Sequence, residues 1–255
     1  MAKPERRKGE REFGVPIAGE ILPPEQWTQT ALKHLPEGHL DWPAIFGRTA
    51  PIVLDLGCGN ARYLISSAVW RPDHDHLGCD ILPVVIRYAT RRGNQRGLTN
   101  VRFAVSGGRE FLATHVAPGS VAEIHCYHPQ PFSDPAQIGK RLITPEFLVL
   151  VHQALQPGGR FFLQTDNPGY WKYMRQIVPM FFDFEDQRGT WPDSPRGRTR
   201  REIIALREGL PVFRGFGRAK SDLTLSAALE LAHALPLPVF DADRRLQQLD
   251  AMERE

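Results

Sequence analysis

An α/β fold with a doubly wound, mostly parallel sheet is what this chain of 255 residues predicts. Three observations carry that expectation. Short β-rich apolar runs alternate with helix-length stretches between residues 52 and 165. The first run passes through Asp-x-Gly-x-Gly into a helical pattern, and the length suits one domain with a buried core and little over for a second.

Residues 1–40 are rich in Pro, Gly and charge and read as a partly ordered N-terminal arm, with one short helix around Glu25 to His34. The domain itself is expected over 41–220. Its strands are IVLDLG (52–57), HLGCD (76–80), VRFAV (101–105), VAEIHCY (121–127) and RFFLQT (160–165). TPEFLVLVHQAL (144–155) reads as a helix: Thr144 can cap it, Pro145 suits its first turn, and Pro157-Gly158-Gly159 should stop it before the next strand. A further helical stretch, GYWKYMRQIVPMF, follows Asn167. A turn-rich, arginine-rich segment then leads to a candidate final strand in LPVFRGFGRA (210–219) and a charged helical extension over 221–255.

The net charge of +3 is small but unevenly placed. Arg87, Arg91, Arg92, Arg96, Arg102 and Arg109 fall in one span, and Arg196, Arg198, Arg200, Arg201, Arg207, Arg214 and Arg218 in another. Such runs are either solvated faces or phosphate-binding surfaces, and arginine rather than lysine favours phosphate. Cys58, Cys79 and Cys126 are odd in number and far apart, which disfavours a disulfide framework or a zinc site and suits a reducing compartment. The charged start and the lack of a bilayer-length apolar run predict a soluble cytoplasmic protein without membrane contact. His125, His128 and His152 form no metal constellation, so no metal is expected; Trp70 and Trp171 read as packing aromatics.

The chemistry concentrates in VLDLGCGNARYL (53–64). Glycines there let the backbone turn sharply and approach a ligand at the carboxyl end of the first strand. Asp80 ends the second strand, where a carboxylate can accept both hydroxyls of a ribose. A dinucleotide site would want a third glycine at position 62, which holds Arg62. The preferred ligand is therefore an adenosyl sulfonium, S-adenosylmethionine, with Asp55 near its ammonium end and Asp80 on the ribose. A structural strand–turn–helix without ligand is the alternative.

From LDWPAIFGRTAPIVLDLGCG through RPDHDHLGCDI, LTNVRF, KRLITPEFL, LQPGGRFFLQTD and Thr199-Arg-Arg-Glu202, the chain resembles bacterial tRNA (guanine-N7)-methyltransferases over roughly residues 40–218. That resemblance implies a Rossmann-like class I methyltransferase fold and S-adenosylmethionine as cofactor. It also implies tRNA as partner and methylation at N7 of the variable-loop guanine, nucleotide 46. Asp55, Gly57, Gly59, Asp80, Ile81 and Gly107 stand at its cofactor positions, and Asp166, Thr199, Arg200, Arg201 and Glu202 at its guanine pocket.

HPQPF (128–132) stands where the family reads Phe-Pro-Asp-Pro-Trp, so Gln130 replaces the motif aspartate. Gln130 and Asp166 are the candidate catalytic residues, positioning the guanine rather than taking a proton. Asp134 is either a substitute carboxylate for the substrate or a turn-former before Pro135. The family's basic stretch is reduced to Lys140 and Arg141, and Ser106-Gly107-Gly108 replaces its adenine-contacting acid. Arg198, Arg200 and Arg201 become candidate phosphate contacts, and Arg87, Arg91 and Arg92 could carry a tRNA backbone on one helix face. Phe132 and His128 are open between base stacking and structure. A methyltransferase retargeted to another RNA or small molecule, and a non-catalytic RNA-binding protein, are the other readings, and monomer and homodimer stay open.

Overall fold

Two short strands, β1 (Arg11–Glu12) and β2 (Val15–Pro16), form a hairpin ahead of the main sheet. The computed structural model describes residues 9–240 of the chain. A short helix, α1 (Trp42–Phe46), is capped by the Asp41 side chain, which accepts from the Ala44 amide at 3.1 Å. The alternation then runs β3 (Ile52–Leu56), α2 (Arg62–Trp70), β4 (Asp75–Asp80), α3 (Pro83–Gln95), β5 (Val101–Val105), α4 (Gly108–His115) and β6 (Val121–Tyr127). It continues with α5 (Pro145–Ala154), β7 (Leu155–Thr165), α6 (Pro168–Phe181), β8 (Phe182–Asp186), α7 (Arg200–Arg207), β9 (Phe213–Ala219) and α8 (Leu225–Ala234).

Seven strands form one sheet in the order β5-β4-β3-β6-β7-β9-β8. The first five are parallel, and β9 is inserted antiparallel between β7 and β8. β3 is buried along its whole length, as a strand covered on both faces requires. Residues of α4, α5, α6 and α8 pack on one face around Leu54, Ile124 and Phe161. Residues of α2 and α3 pack on the other around Val53, Leu64 and Phe103. The strand order reverses between β3 and β6, so the crevice where such folds bind ligands opens above their carboxyl ends.

Three local expectations change. Glu25 to His34 is not a helix: a single 3-10 turn at Pro24–Gln26 gives way to extended chain that covers the edge of β5. Tertiary bonds decide this, with the Leu32 amide donating to the Phe103 carbonyl at 2.8 Å and the Phe103 amide to the Thr30 carbonyl at 2.9 Å. Pro157 to Gly159 lie inside β7 rather than before it; the pairing jumps from Val121 with Leu155 to Glu123 with Arg160, and the proline sits in this irregularity, where no ladder bond is required. α8, within the expected helical extension, packs on the main core through Ala228 and Ala232. Trp70 is 60% exposed, whereas Trp171 is buried.

The cap at Thr144 forms as its sequence indicates, accepting from the Phe147 amide, and Asn167 likewise caps α6 by accepting from the Tyr170 amide. The three cysteines are free thiols. Among the described residues no helix is long and apolar enough to cross a membrane, and no group of three or more His, Cys, Asp or Glu could hold a metal ion. Residues 1–8 of the arm and 241–255 of the expected extension lie outside the described residues.

Candidate active site

The turn after β3 is shaped by Gly57 and Gly59, at φ of 78° and 52°, and a Cβ at either would meet open space. A backbone that bends this way without a side chain leaves room for a ligand to approach it. Gly57 and Cys58 both donate to the Cys79 carbonyl, which ties the turn to the end of β4. Asp80 then closes the cradle: one carboxylate oxygen accepts from the Gly59 amide at 3.1 Å and the other from the Leu82 amide at 2.9 Å. Burial raises its pKa despite these bonds. Asp55 is buried one residue before the end of β3, and burial together with the Asp80 carboxylate pushes it up to about 8, against the opposing charge of Arg198. Ile81 is 71% exposed beside Asp80, and Gly107 immediately precedes α4 with open space at its Cβ position.

Arg62, at the position of the missing third glycine, reaches the N-terminal hairpin. It donates to the Pro16 carbonyl at 2.6 Å and the Val15 carbonyl at 3.3 Å, and pairs with Glu12 at 3.5 Å. Arg92 belongs to the same cluster, bonded to Glu10, Glu12 and the Asn60 carbonyl. A buried guanidinium neutralised by two carboxylates is closed to phosphate, so Arg92 leaves the tRNA-backbone set. The arm thus buttresses the back of the glycine turn.

The second half of the site lies at the ends of β6 and β7. Asp166 follows β7, with one oxygen 2.6 Å from Nε of Arg201 and the other 3.4 Å from Nδ1 of His128. The His128 tautomer follows from its neighbours. Trp191 Nε1 can only donate, and it donates to Oε1 of Gln164 at 2.6 Å. That fixes the Gln164 amide nitrogen on Nε2 of His128, at 2.8 Å, so Nε2 carries the lone pair and the proton sits on Nδ1, facing Asp166. Burial would raise the Asp166 pKa, but the contacts with His128 and Arg201 outweigh it and hold the carboxyl below the usual carboxylate range. The result is an oriented, ionised acceptor.

The HPQPF turn carries two residues with left-handed backbone, His128 at φ 51° and Phe132 at φ 35°. Neither is glycine, so tertiary contacts hold the turn in an uncommon shape. Arg141 supplies several: it is 2% exposed, donates to the Pro131 and Phe132 carbonyls, reaches the Pro238 and Phe240 carbonyls, and stacks 3.6 Å from the Phe240 ring centre. It is a clamp and not a basic residue open to RNA. Gln130 is exposed at the tip and Phe132 half-buried. Asp134 accepts from the Ala136 amide at 3.0 Å and from Gln137 at 3.2 Å, which matches the turn-forming role.

Thr199 and Glu202 serve the start of α7. The Thr199 hydroxyl accepts from the Glu202 amide at 3.0 Å. The fully buried Glu202 carboxylate accepts from the Arg198 amide at 2.7 Å and from Nε and Nη2 of Arg214 at 2.9 and 2.5 Å. With both oxygens engaged and none of its surface exposed, Glu202 offers no free acceptor; it supports the start of α7. Arg198 is likewise closed to phosphate: its guanidinium lies 4.2 Å from the Trp191 ring centre and 5.0 Å from that of Tyr63, and binds Asp193 and the Tyr127 hydroxyl. Arg200 stacks over Phe13, 4.9 Å from its ring centre, and Arg201 holds Asp166.

Beneath this segment a buried polar chain runs from Glu123, bonded to Arg71 and Arg160, through His125 to the hydroxyls of Tyr63 and Tyr127. Burial depresses His125 to about 4, with Glu123 opposing, so the ring is neutral. Sequence reasoning missed Gln164, Trp191, Tyr63 and Tyr127. Gln164 carried the one readable signal, a polar residue closing the apolar run RFFL at the carboxyl end of a strand.

A doubly wound sheet with a glycine turn, carboxylates at the carboxyl ends of β3 and β4 and an ionised acceptor just after β7 has the make-up of a class I, Rossmann-like methyltransferase. The fold resembles the crystal structure of the 16S rRNA methyltransferase KamB, with a TM-score of 0.55 at 15% identity, covering 75% of this chain and 99% of that one. Residues 49–214 match the family described as putative methyltransferase. A tRNA (guanine-N(7)-)-methyltransferase of Alkalilimnicola ehrlichii is 32% identical over 212 residues, 82% of this chain and 88% of that protein. One of Halorhodospira halophila is 31% identical over 208 residues, 80% of this chain and 88% of that protein. The chain belongs to the tRNA (guanine-N7)-methyltransferase family.

Proposed function

We propose that this protein transfers a methyl group from S-adenosylmethionine to N7 of a guanine in tRNA, the variable-loop guanine at nucleotide 46, in the cytoplasm. The residues fit the cofactor. The Asp80 carboxylate, anchored through the Gly59 and Leu82 amides, keeps lone pairs for a ribose diol; Asp55 is a buried carboxyl that a neighbouring ammonium would ionise. Gly57, Gly59, Ile81 and Gly107 line the approach. When bound, S-adenosylmethionine supplies a methyl on a sulfonium sulfur, an electrophile that needs only an aligned lone pair.

Guanine N7 carries that lone pair unprotonated, so no general base is required and positioning dominates. The observation that carries the proposal is the acceptor at Asp166, ionised and held by Arg201 and His128 after β7, at the same carboxyl edge of the sheet as the Asp80 cradle. A carboxylate there suits the N1 and N2 donors of guanine, and Gln130 on the adjoining turn adds an amide acceptor. Thr199 and Glu202 set the position of the Arg200-Arg201 segment.

Two variants test the division of labour. Asp80→Asn should weaken S-adenosylmethionine binding by calorimetry. Asp166→Asn should leave that binding within twofold and cut methyl transfer to a tRNA transcript at least a hundredfold, within the range of a lost charged contact in a transition state. Wild-type transfer by Asp166→Asn would overturn the proposal.

A further inference from the structure

A groove of about 620 Å³ lies between the extended arm segment, α3 and the edge strand β5, and includes none of the site residues described above. Phe103, Val105 and the Trp27 indole give it an apolar wall, and Lys33, Arg87 and Arg91 give it positive charge; among the described residues no acidic one lines it. Trp27 is 42% exposed, yet its ring is fixed, because Nε1 donates to the Leu22 carbonyl at 2.8 Å. The arm wall is equally preformed: the Thr30 amide bonds Asn94 of α3 at 2.8 Å, and the Leu32 amide bonds β5.

The charges on α3 divide sharply. Arg92 and Arg96 are buried and paired with Glu10 and Glu12 of the arm. Arg87 and Arg91, four residues apart on the exposed face, have no carboxylate or hydrogen-bond partner among the described residues, and neither has Lys33. The arm therefore neutralises the arginines that hold it and leaves the groove's own cations open. A fixed indole beside uncompensated arginines is the chemistry that takes a nucleotide, with the base on the ring and the phosphate on the guanidinium groups.

We infer that this groove binds a nucleotide of the RNA substrate other than the one methylated, with Trp27 as stacking platform and Arg87, Arg91 and Lys33 as phosphate contacts. This rests on the reading of tRNA as substrate. A labelled pentaadenylate RNA and free AMP are the probes, tested on the whole protein as wild type, Trp27→Ala, and the exposed double variant Arg87→Gln/Arg91→Gln, with S-adenosylmethionine binding as the folding control. Expected are about tenfold weaker pentaadenylate binding by Trp27→Ala, and a salt dependence shallower by about 1.4 in the log–log slope for the double variant. Cofactor affinity should be unchanged in both, and the KM for tRNA raised. Unchanged pentaadenylate binding in both variants would overturn the inference, as would AMP binding as tightly as the oligonucleotide with the tRNA KM unmoved, which would mark a free-nucleotide site. Failure of the wild type to methylate tRNA would count against the proposed activity alone, since the oligonucleotide arm reads the groove directly.

Discussion

Glu202→Gln separates a supporting role for this residue from a substrate-binding one. The side chain is fully buried, and its two oxygens accept from Nε and Nη2 of Arg214 and from the Arg198 amide. The variant keeps the shape, removes the charge and turns an amide NH2 toward a donor. Arg214, itself 5% exposed, is left with the Gly189 and Val212 carbonyls. Breaking a buried pair from one side costs about 3–5 kcal/mol. For a domain of this size that is a fall of about 6–20 °C in Tm. Urea unfolding followed by tryptophan fluorescence measures the loss. The paired variant Glu202→Leu/Arg214→Met should recover much of it, because no charge is then stranded. A Glu202→Gln protein with wild-type stability and abolished methyl transfer would refute the reasoning, since the carboxylate would then be facing substrate.

Asp55, raised to about 8, should lose its proton when a cation settles beside it, so S-adenosylmethionine affinity should rise from pH 6 to 8 and level above; calorimetry in buffers of different ionisation enthalpy should show proton release, and none would contradict the assignment. His76 and His125 are depressed to about 3 and about 4, so the folded state takes up their protons later than the unfolded chain. Their contribution to stability is complete above about pH 6.5 and is lost as pH falls toward 4, with a slope approaching about 2.7 kcal/mol per pH unit from the two together; chemical unfolding across that range measures it. His128→Phe leaves the Gln164 amide without its ring partner and should cost about 1–3 kcal/mol. It should also release Asp166 from one contact, so that its carboxyl pKa moves up, as titration by NMR would show.

The sequence carried the parallel sheet because five apolar runs were bounded by glycine turns, prolines and caps, signals local to each element. β8 was not legible: FDFED follows α6 directly, without a turn residue, and its pairing is supplied by β9, thirty residues later. The arm misled for a related reason, since a sequence with helical composition at Glu25 to His34 is drawn out by bonds to β5 and Asn94. Within the candidate site, the glycine turn and the carboxylates of Asp55 and Asp80 at its strand ends could be read from spacing as candidates, and the bond from the Gly59 amide to Asp80 joins two of them. Arg92, Arg141 and Arg198 could not be read so, because a cation's use depends on whether Glu10, the carbonyls of the HPQPF turn or the ring of Trp191 stands beside it; Glu10 is remote from Arg92 in sequence, and the nearer partners meet Arg141 and Arg198 only through irregular turns with no periodic pattern. Within HPQPF, Gln130 stands exposed at the tip while His128 binds Gln164 and faces Asp166.

The most direct measurement incubates the purified protein with an unmodified tRNA transcript and labelled S-adenosylmethionine, then cleaves the RNA at N7-methylguanosine. A single cleavage at the variable-loop guanine, lost when that guanine is replaced by adenine, is the predicted result. Label at any other atom or nucleotide, or no transfer by a protein that binds the cofactor, would contradict the account.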